Sequence, residues 1–353
     1  MAESESDKWL QEQLDEVNDL VRQGSQALRQ RQTRRGAQAL NEAEAILDMA
    51  EKDTEEVLKL KARVYNELGV VHQRRQNLEQ SRGYHEAAAE ICDQMIDGGV
   101  DFASNSAATH LNLSSILLAL GERQEARSVG EKALTLLDEA EEQARDDDGE
   151  EERTPNPLQL GALQNMAIIY ARDEEWESAN EAMDRAVEVA ETLAGAGASN
   201  YLAQLAQGCQ QLSVILFQSE RFEDALQWGR QAESMSEDAY EAIGQQVLPV
   251  YIISQVNLLS YYEKLGRYAD GEDCLWKAID VAGKDPRILI RGLNFYENCR
   301  KQADPRLEKG NLPREEVDDG LEDLMGQIDA AGGLEKVREQ AKKIQERQRG
   351  GQS

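Results

Sequence analysis

The only imidazoles in the chain are His72, His85 and His110. Imidazole can ligate zinc or copper, or relay a proton near neutral pH. Adjacent helices could bring His85 and His110 together, with His72 about a turn away, but no carboxylate or thiolate of suitable spacing completes a metal set. The four cysteines, Cys92, Cys209, Cys274 and Cys299, stand 117, 65 and 25 residues apart and include no CxxC pair. That spacing fits neither a zinc site nor a small disulfide framework, and it reads as reduced, structural thiols in a cytoplasmic protein. No GxSxG, GxxxxGK[ST], GxGxxG or HExxH pattern occurs. The residues therefore predict no enzyme, no metal and no cofactor, with histidines that pack rather than react.

Charge is the other source of chemistry. The 353 residues hold 68 Asp and Glu against 39 Lys and Arg, a formal charge of −29. Such a field repels nucleic acid and anionic membrane alike. No segment approaches the roughly 20 apolar residues of a membrane helix, and MAESESDKWL lacks the basic and apolar regions of a signal peptide. One cluster opposes the mean charge: Arg31, Arg34 and Arg35 in RQRQTRR, with Arg74 and Arg75 in the next QRR. If these segments are adjacent turns, they form a basic rim on which an acidic peptide could dock.

The elements that position these groups come from a repeat. LLALGERQEARSVGEKAL, IYARDEEWESANEAMDRAV, LFQSERFEDALQWGRQA and YYEKLGRYADGEDCLWKA each read as a helix end, a polar turn, a large residue and then a small one. Taking the small residue as an anchor gives Gly36, Ser81, Ala126, Ala179, Ala225 and Gly271, separated by 45, 45, 53, 46 and 46 residues. Seven residues after each anchor stands an alanine: Ala43, Ala88, Ala133, Ala186, Ala232 and Ala278. Twelve before stand Gly24, Gly69, Ser114, Ala167, Ser213 and Leu259. Spacings of three and four around these offsets describe two helices per unit whose small residues let the backbones approach. One such hairpin cannot bury its apolar face alone, so neighbours must stack.

On these residues the chain resembles the tetratricopeptide repeat (TPR) family, in a long-repeat variety similar to kinesin light chain repeats. The units run about 11 residues beyond the usual 34 and lack the proline that commonly closes the second helix. HEAT repeats share the period but not the small-residue register. The resemblance implies an all-α, right-handed α-solenoid of about six helical hairpins with helical caps.

Fourteen residues before each anchor stand Arg22, Glu67, Asn112, Asn165, Gln211 and Asn257. At 100° per residue this offset lies roughly 200° from the packing face of the first helix. The TPR resemblance places first helices along a concave groove. Side-chain amides there can both donate to and accept from a peptide backbone. The candidate peptide-binding residues are Asn112, Asn165, Gln211 and Asn257, with Gln164, Gln210, Arg172 and Lys264 beside them.

The expected organisation is a solenoid over residues 1–302, followed by a linker and helical tail over 303–353. Within the solenoid, residues 138–157 read as an exposed acidic loop, since Asp138–Arg153 carries ten carboxylates and two arginines before Pro155 and Pro157. The expected function is a non-catalytic scaffold for a protein or extended peptide. The alternatives are self-association through the end helices, giving a homo-oligomer, and sensing of a short regulatory peptide.

Overall fold

The computed structural model describes residues 5–50, 52–148 and 155–350, and every regular element among them is helical. The helices are α1 (Glu5–Arg29), α2 (Thr33–Asp48), α3 (Glu55–Arg74), α4 (Leu78–Asp97), α5 (Ala103–Leu120), α6 (Arg123–Asp148), α7 (Pro157–Arg172) and α8 (Trp176–Gly195). They continue as α9 (Asn200–Gln218), α10 (Phe222–Ile243), α11 (Leu248–Leu265), α12 (Tyr268–Ala282), α13 (Pro286–Arg300), α14 (Asp304–Lys309), α15 (Arg314–Ala330) and α16 (Leu334–Gly350). The chain divides into two compact units, Met1–Tyr170 and Ala171–Ser353. In the first, α1 packs on α2, α3 on α4 and α5 on α6, and the pairs join through α2 with α3 and α4 with α5. In the second, α9 packs on α10 and α11 on α12, while α13 receives α12, α15 and α16.

The small-residue register is where helices close on each other. All six anchors and all six following alanines are buried, the alanines at 0–1 % exposure. A methyl group added at Gly69 would stand 2.5 Å from the His85 ring, and one added at Gly24 would stand 2.7 Å from Leu40. Hydrogen bonds cross the same contact. Anchor Ser81 donates from Oγ to the Gly69 carbonyl at 2.8 Å, and Ser114 donates from Oγ to the carbonyl of anchor Ala126 at 2.7 Å. The two serines occupy reciprocal offsets, so either helix can supply the donor.

Each hairpin turn uses one backbone form. The residue five before the anchor has positive φ in all six repeats: Arg31 59°, Gln76 61°, Gly121 87°, Glu174 63°, Glu220 61° and Gly266 74°. The next amide bonds back to the carbonyl nine before the anchor, as in Asn77 to His72 at 3.0 Å, Glu122 to Leu117 at 2.9 Å and Arg267 to Tyr262 at 2.9 Å. This is the left-handed helix stop that satisfies the last carbonyls of the first helix. Four of the six positions hold Arg, Gln or Glu, which adopt this conformation at a steric cost.

Two expected boundaries are corrected. The acidic segment expected as a loop over 138–157 is helical as far as Asp148, because Glu139–Ala144 is rich in good helix formers and α6 needs no stop there. Residues 149–154 lie outside the described residues. The linker expected from residue 303 is packed: Leu307 and Leu312 are fully buried, and the Ala269 amide donates to the Gly310 carbonyl at 3.0 Å. The tail helices belong to the second unit, with Val317, Leu324, Ile328 and Val337 also fully buried. Gly320 makes room for this docking, since a methyl group there would clash with the Tyr296 hydroxyl.

Because the alanines are fully buried between packed helices, Ala133→Leu and Ala232→Leu are each expected to cost about 1–3 kcal/mol by overpacking. Urea denaturation followed by circular dichroism measures this, and wild-type midpoints in both variants would show that the register does not govern packing.

Candidate functional site

The amides fourteen before the anchor, expected on an exposed first-helix face, divide by what stands beside them. In the first unit they link neighbouring repeats. Asn112 is half-buried and donates from Nδ2 to Asn66 Oδ1 at 3.0 Å, and Asn165 is half-buried and donates to Ser115 Oγ at 2.6 Å. Glu67, at the same offset, accepts from Ser25 Oγ at 2.8 Å. Ser25 and Ser115 both lie eleven before their own anchors, so a polar rung runs from offset −14 of one repeat to offset −11 of the repeat before it. The expectation that these amides stand free in a groove is corrected for Asn112 and Asn165.

In the second unit the rung is interrupted. The residue at −11 before Asn257 is Val214, which offers no partner, and Asn257 makes no side-chain hydrogen bond among the described residues. Gln211 is exposed. Gln210 is not a groove residue: it is 8 % exposed and donates to the Val250 carbonyl and Ser254 Oγ, each at 2.7 Å. Gln164 is equally buried, and Arg172 is exposed at the end of α7.

Lys264 lies two helical turns beyond Asn257 on the same face of α11, and it opens a cleft that periodicity did not reveal. The cleft, of about 410 Å³, is lined by Phe217 of α9, by Ser260, Glu263 and Lys264 of α11, and by Tyr268. Asn298, Lys301, Gln302 and Arg306 complete it from α13 and beyond. Its one carboxylate is already engaged: Glu263 accepts from Arg291 at 2.8 Å and from Asn298 Nδ2 at 2.9 Å. Lys264 Nζ sits 5.1 Å above the Phe222 ring, which holds the ammonium at the rim without neutralising it. Lys301 bonds only the neutral Asn298 Oδ1, at 3.3 Å. Three cations thus face one compensated carboxylate in a chain of charge −29.

The arginines expected as a basic rim lie at and beside the α1–α2 and α3–α4 turns of the first unit. Arg31, Arg34, Arg35, Arg74 and Arg75 are all exposed, and Arg74 donates from its guanidinium to the Leu28 carbonyl, tying the second turn to the first.

The histidines and cysteines are held as packing groups. Among the described residues no His, Cys, Asp and Glu groups come together as a metal set. His72 stacks on Tyr84 at 5.3 Å, and His110 Nδ1 lies 2.8 Å from the Ser106 carbonyl. His85 is fully buried, with Nδ1 3.0 Å from the Asn66 Oδ1 that Asn112 also engages. Since that oxygen only accepts, His85 Nδ1 carries the proton. Its Nε2 has no partner, and burial pushes the imidazole down to about 4. Burial raises the four thiols to about 11 for Cys92 and about 12 for the others, so none is a thiolate at neutral pH.

Two outcomes follow from this arrangement. An imidazole near 6.5 when unfolded and about 4 when folded takes up its proton first in the unfolded chain. Stability is therefore whole above pH 6.5 and is lost as pH falls towards 4, by about 3 kcal/mol across the window. His85→Gln should flatten that acid slope in urea melts, and an unchanged slope would rule His85 out as its source. Separately, Asn165→Ala is expected to cost about 0.5–1.5 kcal/mol through loss of its bond to Ser115, while Asn257→Ala is expected to be near neutral. Equal losses in the two would remove the distinction between linking and free amides.

A family model described as "Family of unknown function (DUF6483)" matches residues 128–329, and a tetratricopeptide repeat model matches residues 60–139. Among curated proteins none matches. The crystal structure of BtubC (BKLC) from P. vanneervenii is similar at 18 % identity and a TM-score of 0.51, over 74 % of this chain and 91 % of that one. The apo form of the quorum sensor NprR from B. thuringiensis is similar at 12 % identity and a TM-score of 0.51, over 94 % and 86 % respectively. At these identities the two structures share the helical-repeat fold. No helix among the described residues is long and apolar enough to cross a membrane.

Proposed function

This chain belongs to the DUF6483 family of unknown function, and we propose that it is a non-catalytic TPR scaffold that binds an extended, acidic protein segment. The segment lies on the α9, α11 and α13 face of the second unit. The observation that carries the reading is the cleft at Phe217, Lys264, Lys301 and Arg306, a cationic island in a strongly acidic chain. Its cations carry charge that no carboxylate of the cleft matches, so an acidic side chain or a terminal carboxylate can satisfy them. Asn257 and Gln211 continue the same face along α11 and α9, where their amides can pair with the backbone of the bound segment. The half-buried Phe217 supplies ring surface for an apolar side chain between the acidic ones. Asn112 and Asn165 each spend an amide N–H on the neighbouring repeat whereas Asn257 does not, which directs the reading to the second unit.

A fluorescein-labelled Glu-rich peptide, followed by anisotropy at low salt, tests this. The triple variant Lys264→Gln, Lys301→Gln, Arg306→Gln is expected to bind at least tenfold more weakly with unchanged helicity, since charged hydrogen bonds contribute about 1.5–3 kcal/mol each. Binding should also weaken as salt rises to 0.15 M and beyond. An unchanged affinity in the triple variant, or equal binding of a Lys-rich peptide by the parent, would overturn the proposal.

A further inference from the structure

A second cleft, of about 450 Å³, opens between α13 and α16, lined by Arg287, Ile290, Arg338, Ala341, Lys342 and Gln345. It lies near the N-terminal end of α13. Ile290 is eight residues before Asn298, about 12 Å along the helix axis, so the two clefts are separate. The volume falls within the roughly 300–1,000 Å³ of small-molecule sites.

The lining has an unusual composition for this chain, in that no carboxylate contributes to it. Arg287 is already matched, donating from Nε and Nη2 to the two oxygens of Asp285 at 3.1 and 2.6 Å, so it forms a fixed, planar wall. Lys342 has only a 3.9 Å approach to the exposed Glu346, whereas its neighbour Lys343 holds Glu339 at 2.6 Å. Arg338 makes no ion pair among the described residues. It lies four residues before Lys342, so both charges stand on one side of α16. The half-buried Ile290 and Ala341 make the floor.

We propose that this cleft binds a small amphipathic carboxylate: a single carboxylate on a short apolar body. The planar fork of Arg338 matches a carboxylate in two hydrogen bonds, with Lys342 as a second point charge. The apolar body covers Ile290 and Ala341 and removes that surface from water. A bare phosphate would use the cations and leave the floor uncovered. The chemistry is shared by two sources, a free fatty acid and the C-terminal residue of a peptide with an apolar side chain.

Isothermal titration of the full chain with octanoate, N-acetyl-leucine, acetate and inorganic phosphate tests the site. Octanoate or N-acetyl-leucine should bind at least tenfold more tightly than acetate or phosphate. Tighter octanoate names a free acid as the source, and tighter N-acetyl-leucine names a peptide terminus. Arg338→Gln with Lys342→Gln should weaken that binding tenfold or more, and Ala341→Trp, which fills the cleft, should abolish it. Both variants are checked for unchanged helicity and melting temperature, and for unchanged binding of the Glu-rich peptide. No binding of either amphipathic probe, equal binding of acetate or phosphate, or full affinity in the double variant would overturn the proposal.

Discussion

Two helices can meet backbone to backbone only where both carry almost no side chain, and the rest of this protein depends on that constraint. Gly24, Gly69 and Ser114 on first helices face the anchors Gly36, Ser81 and Ala126 on second helices, and at Gly24 and Gly69 the contacts leave no space for a methyl. Dense contact of this kind supplies the dispersion and burial that a thin helical hairpin lacks by itself. It also fixes the rotation of each first helix. The face opposite the contact is then turned away from the hairpin partner.

What the face does is decided locally by what the preceding repeat offers, most often at offset −11, although Asn112 reaches Asn66 across a repeat that has Val70 at that offset. Where a serine stands there, the polar residue fourteen before the next anchor bonds to it and the repeats are pinned together, as at Ser25 with Glu67 and Ser115 with Asn165. Where Val214 stands there, Asn257 keeps its donors and acceptor for something else. One face thus serves stability in one unit and offers recognition chemistry in the other. The cations beside Asn257 are complementary in charge to the acidic segment proposed as partner.

Much of this was legible in the sequence, because glycine, serine and alanine at fixed offsets have a steric meaning that survives without coordinates. The common turn was not legible at its key position: Arg31, Gln76, Glu174 and Glu220 are not residues that announce a left-handed conformation. The acidic run after Asp138 was misread because carboxylate density suggests a solvated loop, whereas Glu139–Ala144 has the propensity to continue α6. The angle of the amides on their helix is readable from sequence, but angle cannot say that a neighbouring repeat brings Asn66 or Ser115 within bonding distance. Asn298, Lys301 and Arg306 lie beyond the last repeat and share no offset with earlier units, so no periodic signal pointed to them.

Amide hydrogen exchange of the full chain, with and without a saturating Glu-rich peptide, tests the central claim most directly. The account predicts slowed exchange confined to the ends of α9 and α11 and to the segment from Asn298 to Arg306. Protection centred instead on the turns that carry Arg31, Arg34, Arg35, Arg74 and Arg75, or no protection at the cleft, would contradict it.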